Sequence, residues 1–140
     1  MTDVPEVTLR MPARPENVAV VRQALGGLAN VLGIDGALLD DMKLAITEAC
    51  TNVVVHAYGG GGGPLAVEMH PAADTLTLVV SDEGEGIRPR LNPESSSALG
   101  LGLPLMAALS DDFEIRGDGE HGTTVRMTFS LAPAAAGSED

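Results

Sequence analysis

A carboxylate and a carboxamide lie four residues apart in a segment that has the pattern of a helix. Glu48 and Asn52 both belong to the segment 45–56. At about 100° per residue, their spacing leaves the two side chains roughly 40° apart on one helical face. The carboxylate has the chemistry of a general base for a hydroxyl that attacks phosphorus, and the carboxamide oxygen suits Mg²⁺. Considered alone, the pair is also explained as the polar edge of an amphipathic helix.

A second acidic group follows an apolar segment that alternates like a strand. Asp82 follows the run 76–81, and Gly84 and Gly86 lie two and four residues after it. A carboxylate there can accept a hydrogen bond from an exocyclic amine, as adenine offers, and the glycines let the backbone approach a ligand. A solvated acidic turn is the alternative explanation.

Two glycine-containing motifs complete an ordered set. Gly100, Leu101 and Gly102 open a predicted helix, whose free N–H groups would attract phosphate, and the Pro/Ser-rich loop 88–99 before them could close over a triphosphate. Thr123 follows Gly122 and would place a hydroxyl beside the base, although a β-turn entering a strand explains this motif equally well. Together with the helix pair and Asp82, these motifs predict a nucleotide site.

The elements that must position these residues follow from hydrophobic spacing and from glycine and proline. Gly59–Gly63 is interpreted as a flexible connection after the second helix. We predict inward residues Val18, Val21, Leu25, Leu28 and Leu32 on the first helix and Met42, Ile46, Ala49 and Val53 on the second. The predicted strands are 7–11, 65–69, 75–80, 113–116 and 123–131, and the predicted helices are 14–32, 36 or 37 to 58, and 100–110.

Helices come early and antiparallel strands come late in this order. This arrangement predicts an α+β fold, a two-layer α/β sandwich with a mixed, mostly antiparallel sheet and helices on one face. We expect one domain over residues 7–131 and a frayed, disordered tail over 132–140, which is rich in alanine.

Composition narrows the function classes. The chain has 140 residues, a formal net charge of −12 and only 2% aromatic residues, so an aliphatic core is expected. The acidic balance argues against nucleic acid or an anionic membrane as a direct partner but does not exclude ATP, which backbone N–H groups and a cation can hold. The single cysteine, Cys50, excludes an intrachain disulfide. No signal peptide or membrane span is visible, and a cytoplasmic location is expected.

In order, the four motifs resemble the N, G1, G2 and G3 boxes of the ATPase superfamily shared by gyrase, histidine kinases and heat-shock chaperones. Its fold is the Bergerat fold. The residues Thr47 to Asn52, followed by His56-Ala57-Tyr58, look most like the anti-sigma factor serine/threonine kinases. The resemblance covers roughly residues 7–131, and its specific part is the N box with G1.

The resemblance implies a role for each matched residue. Glu48 corresponds to the catalytic base and Asn52 to the ligand of Mg²⁺. The remaining positions would bind ATP: Asp82, Gly84, Gly86 and Thr123 at the adenine end, and Gly100, Leu101 and Gly102 at the lid and triphosphate.

The resemblance also implies partners. Such proteins bind a sigma factor, phosphorylate a serine or threonine on a small anti-anti-sigma (STAS-type) protein, and are commonly homodimers that regulate transcription in stress or sporulation. This chain departs from many relatives at Ala98, where they have glycine, and at Pro104 in the helix start. These departures leave open an ATP-dependent binding switch without kinase activity, and a third alternative is an interaction domain that uses no nucleotide.

Overall fold

The computed structural model describes residues 6–59, 61–84, 102–117 and 122–131. Two layers are present, a sheet and helices, which confirms the α+β prediction. The elements in chain order are β1 Val7–Pro12, α1 Pro15–Leu32, α2 Gly36–Asn52, a π-helical segment Val53–Ala57, β2 Pro64–Pro71, β3 Thr75–Asp82, α3 at residues 102–109, β4 Asp112–Gly117 and β5 Thr123–Ser130.

The five described strands form one sheet in the order β1-β2-β3-β5-β4. Every pairing among them is antiparallel, so the parallel component that the prediction allowed is not seen in these strands. Strand β5 lies between β3 and β4, and its register places Thr123 opposite Asp82. Two motifs that are 41 residues apart in the sequence therefore meet at the same end of two neighbouring strands.

Helix α1 has clear start and stop signals. Pro15 occupies the start of the helix, where its missing N–H costs nothing, and Gly33 closes the helix with φ 71°. The N–H of Ile34 then donates to the carbonyl of Ala29 at 2.9 Å. The predicted inward face is buried except at Leu32, which is 38% exposed because it is the last helical residue and lies beyond the packed stripe.

The core lies between the helices and one face of the sheet, and it is aliphatic as predicted. Methionine fills much of it, since an unbranched side chain adapts to irregular gaps. Phe129 is the one fully buried aromatic side chain in the described ranges. Four of the six methionines in the chain are fully buried in the core, namely Met42, Met69, Met106 and Met127.

The second helix differs from its prediction at the C-terminal end. The sequence pattern predicts one helix as far as Tyr58, but the α-helix ends at Asn52 and the chain continues as the π-helical segment Val53–Ala57. The predicted inward residues, from Met42 to Val53, are buried. Within the described ranges, no helix is long and apolar enough to cross a membrane.

Truncating Phe129 should test whether this core carries the stability of the domain. Because the side chain is completely buried, we expect Phe129→Ala to lower the free energy of unfolding by about 3–5 kcal/mol. Urea denaturation followed by circular dichroism measures the change. Val31 is 79% exposed, so Val31→Ala is the control and should change the free energy by less than about 0.5 kcal/mol. Equal losses in the two variants would contradict this core assignment.

Candidate functional site

The last turns of α2 present Glu48 and Asn52 toward the first residue of α3. A Cβ placed on Gly102 would lie 3.3 Å from Glu48 Oε1 and 3.2 Å from Asn52 Nδ2. The backbone of Gly102 thus covers both side chains, and a side chain at this position would press on both. The helix pair and the second glycine of the lid motif are therefore neighbours in space, although 50 residues separate Asn52 from Gly102 in the sequence.

The Asn52 side chain is buried and incompletely bonded. Its residue is 5% exposed, and Nδ2 has no hydrogen-bond partner among the described residues. A buried amide atom without a partner costs free energy, so such atoms point to a missing ligand. Rotation of the amide by 180° exchanges its nitrogen and oxygen, so the same position can present an oxygen to a cation. An amide oxygen in this position fits Mg²⁺ that is bound together with phosphate oxygens.

The Asp82 carboxylate forms the second part of the site. Asp82 is 5% exposed at the end of β3. Its Oδ1 accepts a hydrogen bond from the Gly84 N–H at 3.0 Å, and the backbone N–H of Thr123 also donates to the carboxylate. Oδ2 is buried and has no partner in the described part of the chain. One carboxylate oxygen is therefore held by the fold while the other can accept from a ligand N–H.

Burial raises the pKa of Asp82 above its ordinary value, and the hydrogen bonds from Gly84 and Thr123 oppose this shift. Because the folded pKa is raised, the charged form is disfavoured by folding, and stability falls as the pH rises from the unfolded pKa through the folded pKa. Above that window, the ionised carboxylate carries a desolvation cost that the two hydrogen bonds offset only in part. A ligand amine that donates to Oδ2 would offset this cost.

Two glycines allow backbones to meet around Asp82. A Cβ on Gly84 would lie 2.1 Å from the carbonyl oxygen of Ala57, which belongs to the π-helical segment. A Cβ on Gly122 would lie 2.0 Å from the carbonyl oxygen of Asp82, and Gly122 also has φ +105°, a conformation that favours glycine. The turn after β3 thus packs directly on the chain that follows Asn52.

The predicted residues that the structure describes lie in two groups, one at each end of the π-helical segment Val53–Ala57. Glu48, Asn52 and Gly102 form one group, while Asp82, Gly84 and Thr123 form the other. The π-helical segment joins these groups, since it begins after Asn52 and contacts Gly84 through Ala57. Insertions of this kind occur often at functional sites. Gly86, Gly100 and Leu101 lie outside the described residues.

Sequence reasoning missed the contacts of Tyr58, which it used only as the end of a helix and as part of the segment His56-Ala57-Tyr58 in the family resemblance. Its hydroxyl donates to the Pro64 carbonyl at 2.5 Å and accepts from the Glu83 N–H at 2.7 Å. Both partners are backbone atoms, so no side-chain pattern marks them. The available signal was the residue type: this is the only tyrosine of the chain, next to its glycine run.

Comparison with known proteins shows the family of this chain. The family model for the histidine kinase-like ATPase domain matches residues 11–129. The chain belongs to the histidine kinase-like ATPase family. Similar relatives within it are the serine-protein kinases RsbW of Bacillus cereus strain Q1 and of Bacillus anthracis. Each is 36% identical over 135 residues, which cover 88% of this chain and 83% of the relative.

Solved structures of the family agree with the fold. The RsbU and RsbW domains of a Mycobacterium tuberculosis protein match with a TM-score of 0.69 and 25% identity over 91% of this chain. The chain spans 33% of that longer structure. The histidine kinase domain of a blue-light-activated kinase from Erythrobacter litoralis matches with a TM-score of 0.51 over 87% of this chain and 62% of that one, and at 18% identity it supports the fold alone.

Neutralising Asp82 should weaken ATP binding without lowering the stability of the fold. Asp82→Asn keeps Oδ1 for Gly84 and Thr123 but replaces the free acceptor with an N–H donor. Because burial disfavours the charge, we expect an unfolding temperature no lower than that of the wild type. Affinity for ATP should fall about 10–100-fold, as expected for a lost hydrogen bond to a charged group. Thermal unfolding with and without Mg·ATP measures both effects. Undiminished stabilisation by ATP in Asp82→Asn would contradict this assignment.

Proposed function

We propose that this protein is an ATP-dependent serine/threonine protein kinase that acts as an anti-sigma regulatory factor. The observation that carries the proposal is the placement of Glu48 beside the buried, unsatisfied Asn52 amide under the Gly102 backbone. At this place the Glu48 carboxylate has on one side a helix start whose N–H groups suit phosphate. On its other side is Asn52, whose amide suits a cation. The RsbW relatives, which are named serine-protein kinases, support the same activity.

ATP would lie with its base at the Asp82 end and its phosphates at the Asn52 end. The exocyclic amine of adenine donates to Asp82 Oδ2, and Thr123 lies opposite Asp82 across the paired strands. The free N–H groups at the start of α3 suit the triphosphate. By the family resemblance, Gly86, Gly100 and Leu101, which lie outside the described residues, would bind the same nucleotide.

Glu48 is the residue that we assign to the acceptor hydroxyl. The hydroxyl oxygen of a partner's serine or threonine forms a bond to the γ-phosphorus, the bond from that phosphorus to the bridging oxygen breaks, and ADP leaves. The hydroxyl proton passes to the Glu48 carboxylate. Asn52 would hold Mg²⁺, which neutralises phosphate charge when bound. Most of the acceleration comes from positioning and from charge stabilisation.

The regulatory role is proposed from the resemblance to the anti-sigma factor serine/threonine kinases. The RsbW relatives are named serine-protein kinases, and we assign to this chain a sigma factor and a STAS-type anti-anti-sigma protein as partners. Phosphorylation of the second partner would leave the sigma factor bound. A homodimer in the cytoplasm is the form in which we expect it to act. Direct binding to nucleic acid is disfavoured by the net charge of −12.

The start of α3 favours the kinase function, in which phosphate is transferred, over the alternative function, in which the protein only binds ATP. Pro104 is one of the two departures from the family pattern that suggested a binding switch without kinase activity. It lies exposed in the first turn of α3, at residues 102–109. Proline is tolerated in a first helical turn because those N–H groups lack helical partners. The helix therefore forms over Gly102 despite the proline. The other departure, Ala98, lies outside the described residues.

Replacing Glu48 tests the assigned chemistry. Glu48→Gln removes the base but keeps the size of the side chain, so we expect phosphate transfer to fall about 10²–10⁴-fold while ATP affinity changes little. The assay combines the protein, Mg·[γ-³²P]ATP and the anti-anti-sigma protein encoded nearest to its gene, and it measures labelled partner. Asp40, an exposed acid on the same helix, provides the control variant Asp40→Asn, which should transfer at the wild-type rate.

Transfer to the partner, measured by this assay, and ATP binding, measured by thermal unfolding with and without Mg·ATP, together separate the alternatives. ATP binding without transfer by the folded wild type would favour the binding switch. Transfer by Glu48→Gln at the wild-type rate would leave the kinase function standing and remove Glu48 as its base. Absence of ATP binding by the wild type would reject both nucleotide-dependent functions.

A further inference from the structure

The Tyr58 side chain connects three parts of the chain at the adenine end of the proposed ATP site. Tyr58 follows the π-helical segment directly. Its hydroxyl donates to the carbonyl of Pro64, at the start of β2, and accepts from the N–H of Glu83, the residue after Asp82. One phenol oxygen thus uses both its donor and an acceptor position on backbone atoms. These bonds fix where the chain leaves β3.

Glycines on two sides hold the Tyr58 ring in place. A Cβ on Gly63 would lie 2.3 Å from Tyr58 Cε1, so the ring packs directly on the Gly63 backbone. A Cβ on Gly84 would lie 2.9 Å from Tyr58 Cδ1. The ring is therefore enclosed between the end of the glycine run and the turn that carries Asp82. Close packing of this kind restricts the direction in which the hydroxyl can point.

The geometry points to Tyr58 as a positioning residue that sets the preference of the site for adenine over other purines by fixing the Asp82 turn. This inference rests on the proposed function, because it takes Asp82 Oδ2 as the acceptor for the adenine amine. Glu83 and Gly84 follow Asp82 immediately, and Gly84 also donates to Asp82 Oδ1. A shift of the Glu83 N–H would therefore carry the Asp82 carboxylate with it.

The contacts predict a local effect and not a general loss of stability. Glu83 is exposed, so water can replace the phenol at its N–H in a variant that lacks the hydroxyl. The ring of a Tyr58→Phe variant keeps its packing against Gly63 and Gly84. The variant loses the hydrogen bond that fixes the turn after Asp82. The hydrogen bond from the adenine amine to Asp82 depends on the direction of this turn.

The experiment compares ATP with inosine triphosphate, which carries a carbonyl where adenine has its amine. Isothermal titration calorimetry with Mg²⁺ gives the two dissociation constants for the wild type and Tyr58→Phe. We expect the wild type to prefer ATP and Tyr58→Phe to reduce that preference about tenfold, the size of one hydrogen bond. The reduction should come from weaker ATP binding, while inosine triphosphate affinity stays within about twofold.

Two further variants sharpen the test. Gly63→Ala keeps the hydroxyl but displaces the ring, so it should reduce the ATP preference in the same way. Arg10→Gln removes the 3.0 Å ion pair between Arg10 and Glu83, whose side chains are both 60% exposed. This control changes the side-chain contact of the same turn but keeps the phenol, and we expect the wild-type preference.

The outcomes distinguish this inference from the proposed function. A wild type that binds neither nucleotide, or both equally, would reject base recognition by Asp82 and with it the proposed ATP site. A wild-type preference that persists in Tyr58→Phe would overturn the Tyr58 inference alone. Loss of folding in both Tyr58→Phe and Gly63→Ala would also overturn it, because the contacts would then be a requirement of folding.

Discussion

The π-helical segment that follows α2 and the turn that follows β3 pack with no side chain between their backbones. Gly84 makes this possible, since any Cβ there would overlap the Ala57 carbonyl. The contact brings the helix that carries Glu48 and Asn52 to the strand that carries Asp82. If this helix and this strand were held farther apart, one ligand could no longer contact both Asp82, which suits a nucleobase, and Asn52, which lies at the phosphate end. The site therefore depends on a backbone contact more than on any polar side chain.

The site holds polar groups whose burial costs free energy in the absence of a ligand. Asp82 Oδ2 and Asn52 Nδ2 have no hydrogen-bond partners within the described residues. A fold keeps such atoms where a ligand can satisfy them. Under the proposed function, a chain with a net charge of −12 would hold a nucleotide through these single polar atoms, a cation and helix N–H groups in place of a positively charged surface.

Local patterns were sufficient for the elements and for the facing pair of Glu48 and Asn52, because helical spacing fixes which side chains share a face. They also placed Asp82 at the end of an apolar strand. The π-helical segment was beyond their reach, since the apolar spacing of α2 continues through it and its contact with Gly84 joins residues far apart in the sequence. The bonds of Tyr58 were also hidden, because their partners are backbone atoms 6 and 25 residues away. The position of β5 between β3 and β4 is likewise a property of the whole sheet.

A crystal structure with Mg²⁺ and a non-hydrolysable ATP analogue tests the central claim most directly. The account predicts the adenine amine within hydrogen-bonding distance of Asp82 Oδ2, and the Asn52 side-chain oxygen on a cation that also binds the phosphates. Glu48 should face the γ-phosphate across a gap that admits a hydroxyl. An analogue bound elsewhere, or one bound with its base at Asn52 and its phosphates at Asp82, would contradict the account.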